Sequence, residues 1–296
     1  MCGSSVTTSR IVPGKRALGG DPLTIARCPA CGVSFQPTLP GSDALTNYYD
    51  YMGKVDSVAA EPSAFIGRRL TRMLSRLEPY RNSGRLLDVG CGRGTVALAA
   101  RRAGWDVYAT EISASCVVEL RPLFGERLHH GSLLDAPFAP ESFDAVLMIE
   151  VLEHLADPGG YLTASLRLLR PGGCLLLTTP NFRGLSGRLR RDAWRVVADE
   201  HLTYFDEATL GRLLRSSGFT LVRIVTTGLD LPALVGWLRG SPGRPQSTGT
   251  AVWGDGSDRS HGSAIADAGV EAVNAILAAL RLGDALRALA ERPSSR

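Results

Sequence analysis

The stretch Arg85-Leu86-Leu87-Asp88-Val89-Gly90-Cys91-Gly92-Arg93-Gly94 constrains this chain more than any other. An apolar run ends in an acid, three glycines follow at alternate positions, and helix-compatible Val96-Ala97-Leu98-Ala99-Ala100 comes next. The order reads as strand, tight turn, helix. Glycine carries no Cβ, so such a turn lets a ligand lie directly against backbone.

The chain downstream alternates in step. Strands are predicted at 85–89, 106–110, 128–130, 143–149, 174–179 and 219–226. Helices are predicted at 63–78, 95–103 and 159–169, after Ser113 and after Asp206, with Pro171-Gly172-Gly173 breaking the third. Short apolar strands between helices indicate parallel β-α-β units buried on both faces, hence a doubly wound α/β sheet. With 296 residues, 44% of them hydrophobic, the chain is long enough for one large domain and an appendage. It divides into a lead at 1–40, an aromatic segment and leading helix at 41–83, a core at 84–227, a Gly/Ser/Pro-rich insertion at 228–262 and a tail at 263–296. The tail carries an Ala/Leu-rich helix at about 264–281. Its last apolar run, Ala285-Leu286-Arg287-Ala288-Leu289-Ala290, reads as a strand or a helix end, and composition favours helix.

A net charge of +4 falls short of the dense basic face of a nucleic-acid binder, so no nucleic-acid partner is expected. No stretch approaches the ~18 apolar residues of a membrane span, and the N-terminus has no signal-peptide core. A cytoplasmic protein without a membrane partner is expected. In that setting the six cysteines do not read as a disulfide framework. Cys91, Cys116 and Cys174 read as small apolar fillers.

Cys28-Pro29-Ala30-Cys31-Gly32 has the form of a zinc knuckle, two thiolates on one tight turn. Structural zinc wants four ligands, and only Cys2, followed by Gly3, lies near in sequence. Three readings stay open: the chain begins a few residues late, the ribbon is a relict without metal, or zinc sits on Cys2, Cys28, Cys31 and an outside ligand. Tyr48, Tyr49 and Tyr51 cluster in a chain with only 6% aromatics. They read either as packing against the main domain or as a flap over a ligand pocket. The arginines at 183, 188, 190, 191 and 195 read as a solvated lid or as contacts to an anionic acceptor, such as a nucleotide-linked sugar or carrier phosphate.

In an open α/β sheet the ligand lies beyond the C-terminal ends of the strands, where the strand order reverses. A dinucleotide fingerprint needs G-x-G-x-x-G. Counted from Gly90 its third glycine position holds Thr95, and counted from Gly92 it holds Ala97, so spacing disfavours a dinucleotide without excluding it. An acid two residues before the first glycine is badly placed beside a pyrophosphate and well placed beside an ammonium or sulfonium. Glu111, ending the next strand, can accept hydrogen bonds from the two hydroxyls of an adenosine ribose.

Asp88-Val89-Gly90-Cys91-Gly92-Arg93-Gly94, Glu111, the Ala136-Pro137-Phe138 to Ser142-Phe143-Asp144 run and Glu150-Val151-Leu152-Glu153-His154 together resemble class I S-adenosylmethionine-dependent methyltransferases over roughly residues 84–226. The knuckle, the tyrosine segment and Glu200-His201-Leu202-Thr203-Tyr204-Phe205 are similar to a bacterial branch with a zinc-ribbon lead, serving sugar or natural-product pathways. The resemblance implies a Rossmann-like seven-stranded sheet and S-adenosylmethionine as cofactor, with zinc doubtful. It implies that Gly90, Cys91, Gly92 and Gly94 wrap the methionine part, that Asp88 organises the loop and meets the ammonium, and that Glu111 and Ile112 flank the ribose. Ser132 and Leu133 fall where the family meets adenine, although an Asp is usual there. Ile149 and Glu150 fall beside the transferable methyl. A small-molecule acceptor is implied, most simply a hydroxyl, with N- or C-methylation or cofactor binding without catalysis as alternatives. His154 and His201 are the candidate bases. In quinone-pathway relatives a Glu-x-x-Glu-His pattern like Glu150, Glu153 and His154 holds a divalent metal; a helix-surface role is the other reading.

Overall fold

The structure is a computed structural model that describes residues 8–18, 20–55, 64–228 and 275–294. A lead of three strands, β1 (Thr8–Arg16), β2 (Pro22–Arg27) and β3 (Ser34–Phe35), comes first. Two helices follow, α1 (Ser42–Val55) and α2 (Ala64–Leu74), the latter running into a 3₁₀ segment at Ser75–Tyr80. The core then alternates through β4 (Arg85–Val89), α3 (Thr95–Arg102), β5 (Asp106–Glu111), α4 (Ala114–Phe124), β6 (Leu128–His130), β7 (Phe143–Ile149), α5 (Pro158–Leu168) and β8 (Leu169–Pro180). After α6 (Leu185–Arg190) come β9 (Thr203–Tyr204), α7 (Glu207–Ser216), β10 (Leu221–Thr227) and β11 (Ala285–Glu291).

Seven strands form one sheet in the order β10-β11-β8-β7-β4-β5-β6. The order turns back between β4 and β7, which pair in parallel with Val89 beside Met148. Leu86, Ala97, Val107, Leu120 and Leu70 fill one face, and Leu87, Val146, Leu162, Leu175, Leu210 and Leu214 fill the other. The strands are buried on both sides, which is why they lack polar alternation.

Two expectations need correction here. Ala285–Glu291 is a strand, antiparallel to both β8 and β10. Alanine and leucine favour helix locally, but insertion between two strands satisfies both edges of this segment and overrides that preference. Pro171-Gly172-Gly173 does not lie in a loop between helix and strand. Phe143 pairs with Leu169 and Ala145 with Cys174, so β8 starts early and absorbs the extra residues as a bulge. A Cβ on Gly173 would lie 2.9 Å from the Arg170 carbonyl and 3.0 Å from that of Asp144, so only glycine fits the bulge.

The lead does not stand apart. β1, β2 and β3 are joined by β9 from the core into a four-stranded sheet. The insertion at 228–262, apart from Gly228, and most of the helix expected at 264–281 lie outside the described residues.

Asp144, fully buried at the start of β7, ties the sheet's lower edge together. One oxygen accepts from the Asn82 and Gly84 backbone N–H groups at 2.8 and 2.7 Å, and the other from Arg170 Nε at 2.7 Å. Burial pushes its pKa up, but these bonds outweigh burial and hold it below the ordinary value. Asp144→Ala orphans two backbone donors and should cost about 2 kcal/mol in urea unfolding. A loss below ~0.5 kcal/mol would contradict this reading.

Candidate functional site

A cavity of about 520 Å³ opens at the carboxyl ends of β4, β5 and β7, at the reversal of strand order. One end is built by the turn after β4. Gly90, Gly92 and Gly94 have φ of +64°, +54° and +74°, a region that costs other residues strain. A Cβ on Gly90 would lie 2.8 Å from Val151 Cγ2, and one on Gly94 2.8 Å from Leu120 Cδ2. At Gly92 nothing lies within 4 Å of such a Cβ. Gly90 and Gly94 are therefore required by packing, and Gly92 leaves open space where a ligand reaches backbone. Gly94 caps α3 and is not on the cavity wall.

Glu111 holds this turn in shape. Its carboxylate accepts from Gly92 N at 2.7 Å and Ser113 N at 2.8 Å, each oxygen keeping a second lone pair. Asp88 lies beneath, 2% exposed, and its Oδ2 has no partner. Burial and the nearby Glu111 push Asp88 up to about 7, with the Ala97 N–H pulling the other way. Cys91, Ile112, Leu133 and Ile149 line the wall, as does Glu150, a non-glycine residue at φ +54°. Cys91 and Cys116 are buried thiols raised by burial, in keeping with a filler role.

The cavity wall is also aromatic and acidic. Tyr48 and Tyr49 of α1, Tyr161 of α5, His154, Glu150 and Glu200 line it. Helix α1 is fastened over the cavity through Asp50, which accepts from Ala114 N at the start of α4 at 2.7 Å. Of the three tyrosines, Tyr48 and Tyr49 line the pocket, and Tyr51 is exposed and does not. Tyr49 stacks edge-on against His154, with ring centroids 5.7 Å apart, and its hydroxyl is buried without a partner.

His154 Nδ1 lies 3.0 Å from the carbonyl of Glu200. A carbonyl only accepts, so Nδ1 carries the proton and Nε2 keeps its lone pair. Burial lowers this histidine to about 4. His201 is held in the same way, Nδ1 to the carbonyl of Val196 at 2.8 Å. It does not line the cavity, however. Its ring sits behind His154, 4.7 Å between centroids, so it is placed to support rather than to touch an acceptor.

Ser132 is likewise not on the wall. Its hydroxyl bonds Tyr161 Oη at 2.8 Å and accepts from Leu134 N, which leaves Gly131 and Leu133 to face the cavity. None of Arg183, Arg188, Arg190, Arg191 and Arg195 lines it. Tyr161 and Glu200, on the wall, were not singled out from sequence; Glu200 stood in a matching motif but adds its contact through a backbone carbonyl.

Ligand atoms of Glu153, His154 and His201 lie within 4.8 Å of one another. Glu153 Oε1 is buried without a hydrogen-bond partner, so two imidazole lone pairs and one carboxylate oxygen fit a divalent cation. The expected pattern changes in one member: His201 takes the place of Glu150. A cation there would act as a Lewis acid toward an acceptor oxygen. Cys28 and Cys31 form the expected tight turn, with Gly32 N donating to the Cys28 carbonyl at 2.8 Å and Cys31 N facing Cys28 Sγ at 3.5 Å. Among the described residues no third ligand joins them, and Cys2 lies outside those residues. The two described thiols are half the ligand set of a structural zinc.

Burial raises Asp88 and Glu150 to about 7 and Glu200 to about 8, from ordinary values of 3.8 and 4.5. The folded domain then binds more protons than the unfolded chain below those values, and this stability is lost as pH rises through them. His154 works the other way, but only between about 4 and 6.5. The ligand-free domain should therefore melt at a lower temperature at pH 8 than at pH 6.5. A flat or rising melting temperature over that interval would contradict these assignments.

A seven-stranded sheet with one antiparallel strand, and a glycine turn and acid at its switch point, define the class I S-adenosylmethionine-dependent methyltransferase fold. The methyltransferase-domain family matches residues 63–224, and the chain belongs to that family. It is similar to the ubiquinone biosynthesis O-methyltransferase of Cereibacter sphaeroides, at 37% identity over 122 residues, 39% of this chain and 49% of that one. It is also similar to the 27-O-demethylrifamycin SV methyltransferase of Amycolatopsis mediterranei, at 33% identity over 166 residues, 48% of this chain and 59% of that one. The chain spans about half the length of the curated relatives it matches. Among solved structures the cyclase SpnF shares the fold, with a TM-score of 0.56 at 22% identity over 88% of this chain and 98% of that one. The cofactor is S-adenosylmethionine. The open space at Gly92, the partnerless Asp88 oxygen and the spare lone pairs of Glu111 fit its methionine and ribose parts. No described helix is long and apolar enough to cross a membrane.

Proposed function

We propose that this domain methylates a hydroxyl of a small-molecule acceptor, with His154 as the base. The observation that carries the reading is the fixed tautomer: His154 lines the cavity, its Nδ1 donates to the Glu200 carbonyl, and its Nε2 keeps a lone pair, 3.8 Å from Glu153 Oε1. The cofactor, when bound, supplies a methyl already activated by its sulfonium, so the reaction is an in-line displacement. What the chain must add is position and a place for one proton. Tyr48, Tyr49 and Ile66 line the cavity and give a ring-bearing substrate apolar faces. Nε2 receives the proton as the C–O bond forms and the C–S bond breaks, leaving a methyl ether and a neutral thioether. A base lowered to about 4 suffices, because the hydroxyl becomes strongly acidic once its oxygen is methylated.

The quinone and rifamycin relatives, named for methylation at oxygen or on an O-demethyl precursor, support an acceptor oxygen of natural-product type, and a sugar-type acceptor shares that chemistry. The test is incubation with methyl-labelled S-adenosylmethionine and a panel of quinol, polyketide and sugar acceptors, read by mass spectrometry. Label on oxygen is expected. Label on nitrogen or carbon alone, or tight S-adenosylhomocysteine binding with no transfer across the panel, would overturn it.

A further inference from the structure

The lead sheet reaches the site through two side chains. Gln36 directly follows β3 and is 2% exposed. Its single amide nitrogen faces three carbonyls, those of Ala198 at 3.3 Å, Asp199 at 3.0 Å and His201 at 3.0 Å. Its backbone N–H donates to the Leu202 carbonyl at 2.9 Å, continuing the pairing of β3 with β9. Three of the four carbonyls from 198 to 201 thus point at Gln36. The fourth, that of Glu200, points at His154.

Lys15 of β1 repeats the device one turn earlier. Its ammonium donates to the carbonyls of Trp194, at 2.9 Å, and Val197. The carbonyl of Val196, between them, accepts from His201. In each case a donor from the lead gathers flanking carbonyls and leaves the one between them to pin a histidine.

We propose that Gln36 and Lys15 are positioning residues: through the Glu200 and Val196 carbonyls they set the tautomer of His154 and His201. The lead sheet is then part of the catalytic apparatus, acting on the acceptor half while the cofactor half is built by the turn after β4 and by Glu111. The link to rate rests on the reading of His154 as base; the link to tautomer does not.

The test uses the whole chain with ¹⁵N-labelled histidine. Imidazole nitrogen shifts distinguish the Nδ1–H and Nε2–H forms, and a His154→Gln spectrum assigns the resonances. In the unsubstituted protein His154 should be in the Nδ1–H form. Gln36→Met keeps volume and removes the donor; it should shift at least ~50% of His154 into the Nε2–H form and lower kcat at least ~2-fold, with S-adenosylhomocysteine affinity within about two-fold. Lys15→Met should do the same to His201. An unchanged His154 tautomer in Gln36→Met, with binding intact, overturns the proposal. Should Gln36→Met bind no S-adenosylhomocysteine, Gln36→Asn, which keeps the donor on a shorter arm, decides: a tautomer shift there supports the proposal and none refutes it. Loss of tautomer control together with an active His154→Gln would leave this inference standing and remove the role of His154 as base.

Discussion

His154→Gln should lower kcat for methyl transfer by ~10²–10⁴-fold, the usual worth of a positioned base, and leave S-adenosylhomocysteine affinity within about two-fold. The separation follows from the geometry. His154 stands on the 3₁₀ turn Leu152–His154, and its ring nitrogens face the Glu200 carbonyl and Glu153 rather than the glycine turn or Glu111. Glutamine keeps a donor for the Glu200 carbonyl but offers no basic lone pair. The pH dependence sharpens the test. Since burial lowers His154 to about 4, its NMR titration should have a midpoint near that value and not near 6.5, and the imidazole should be neutral throughout the physiological range. A kcat unchanged in His154→Gln would remove the base from the mechanism. That outcome would leave positioning and the acceptor's own acidity to carry the transfer. A rate loss restored by a divalent cation in the unsubstituted protein, and absent in Glu153→Gln, would favour the cation at Glu153, His154 and His201.

What could be seen in the sequence was whatever depends on local chemistry. The glycine turn, Asp88 and Glu111 form a contiguous grammar in which each residue type answers a requirement of backbone or cofactor, and the structure brings them to one place. The strands of the core carry unbroken apolar runs because both faces are covered, so β4, β5 and β7 were readable. β11 was not, because its alanines and leucines take their conformation from β8 and β10 on either side. Gly94 and Ser132 match a pattern by position, yet Leu120 and Tyr161 claim their space and hydrogen bonds. His201 was recognised as functional by type, but distance to the cavity is a tertiary fact, and it sits one ring behind the wall. Gln36 and the carbonyl of Glu200 left no signal at all. A backbone carbonyl is present at every residue, and only the fold decides which one faces a histidine.

Glu111→Ala should weaken S-adenosylhomocysteine binding at least ~100-fold, more than loss of a ribose contact alone would give. Each carboxylate oxygen also holds a backbone donor: Gly92 N in the cofactor turn and Ser113 N at the start of α4. Ser113 in turn caps α4 through its hydroxyl on Cys116 N. Removing the carboxylate orphans two donors in partly or fully buried places, each worth ~1–3 kcal/mol, and frees Gly92 from φ +54°, the conformation that leaves room for a ligand. Burial raises this acid, and the Ser113 and Gly92 N–H groups oppose that rise, so the carboxylate is held by the same bonds that shape the turn. Glu111→Gln separates the two contributions. Its amide oxygen replaces only one acceptor, so a loss of ~10-fold is expected, with a smaller fall in melting temperature than for alanine. Isothermal titration with S-adenosylhomocysteine measures both variants. Unchanged affinity in Glu111→Ala would show that the turn keeps its shape without the carboxylate and that the ribose is held elsewhere. Equal losses in alanine and glutamine would assign the effect to charge and not to the backbone bonds.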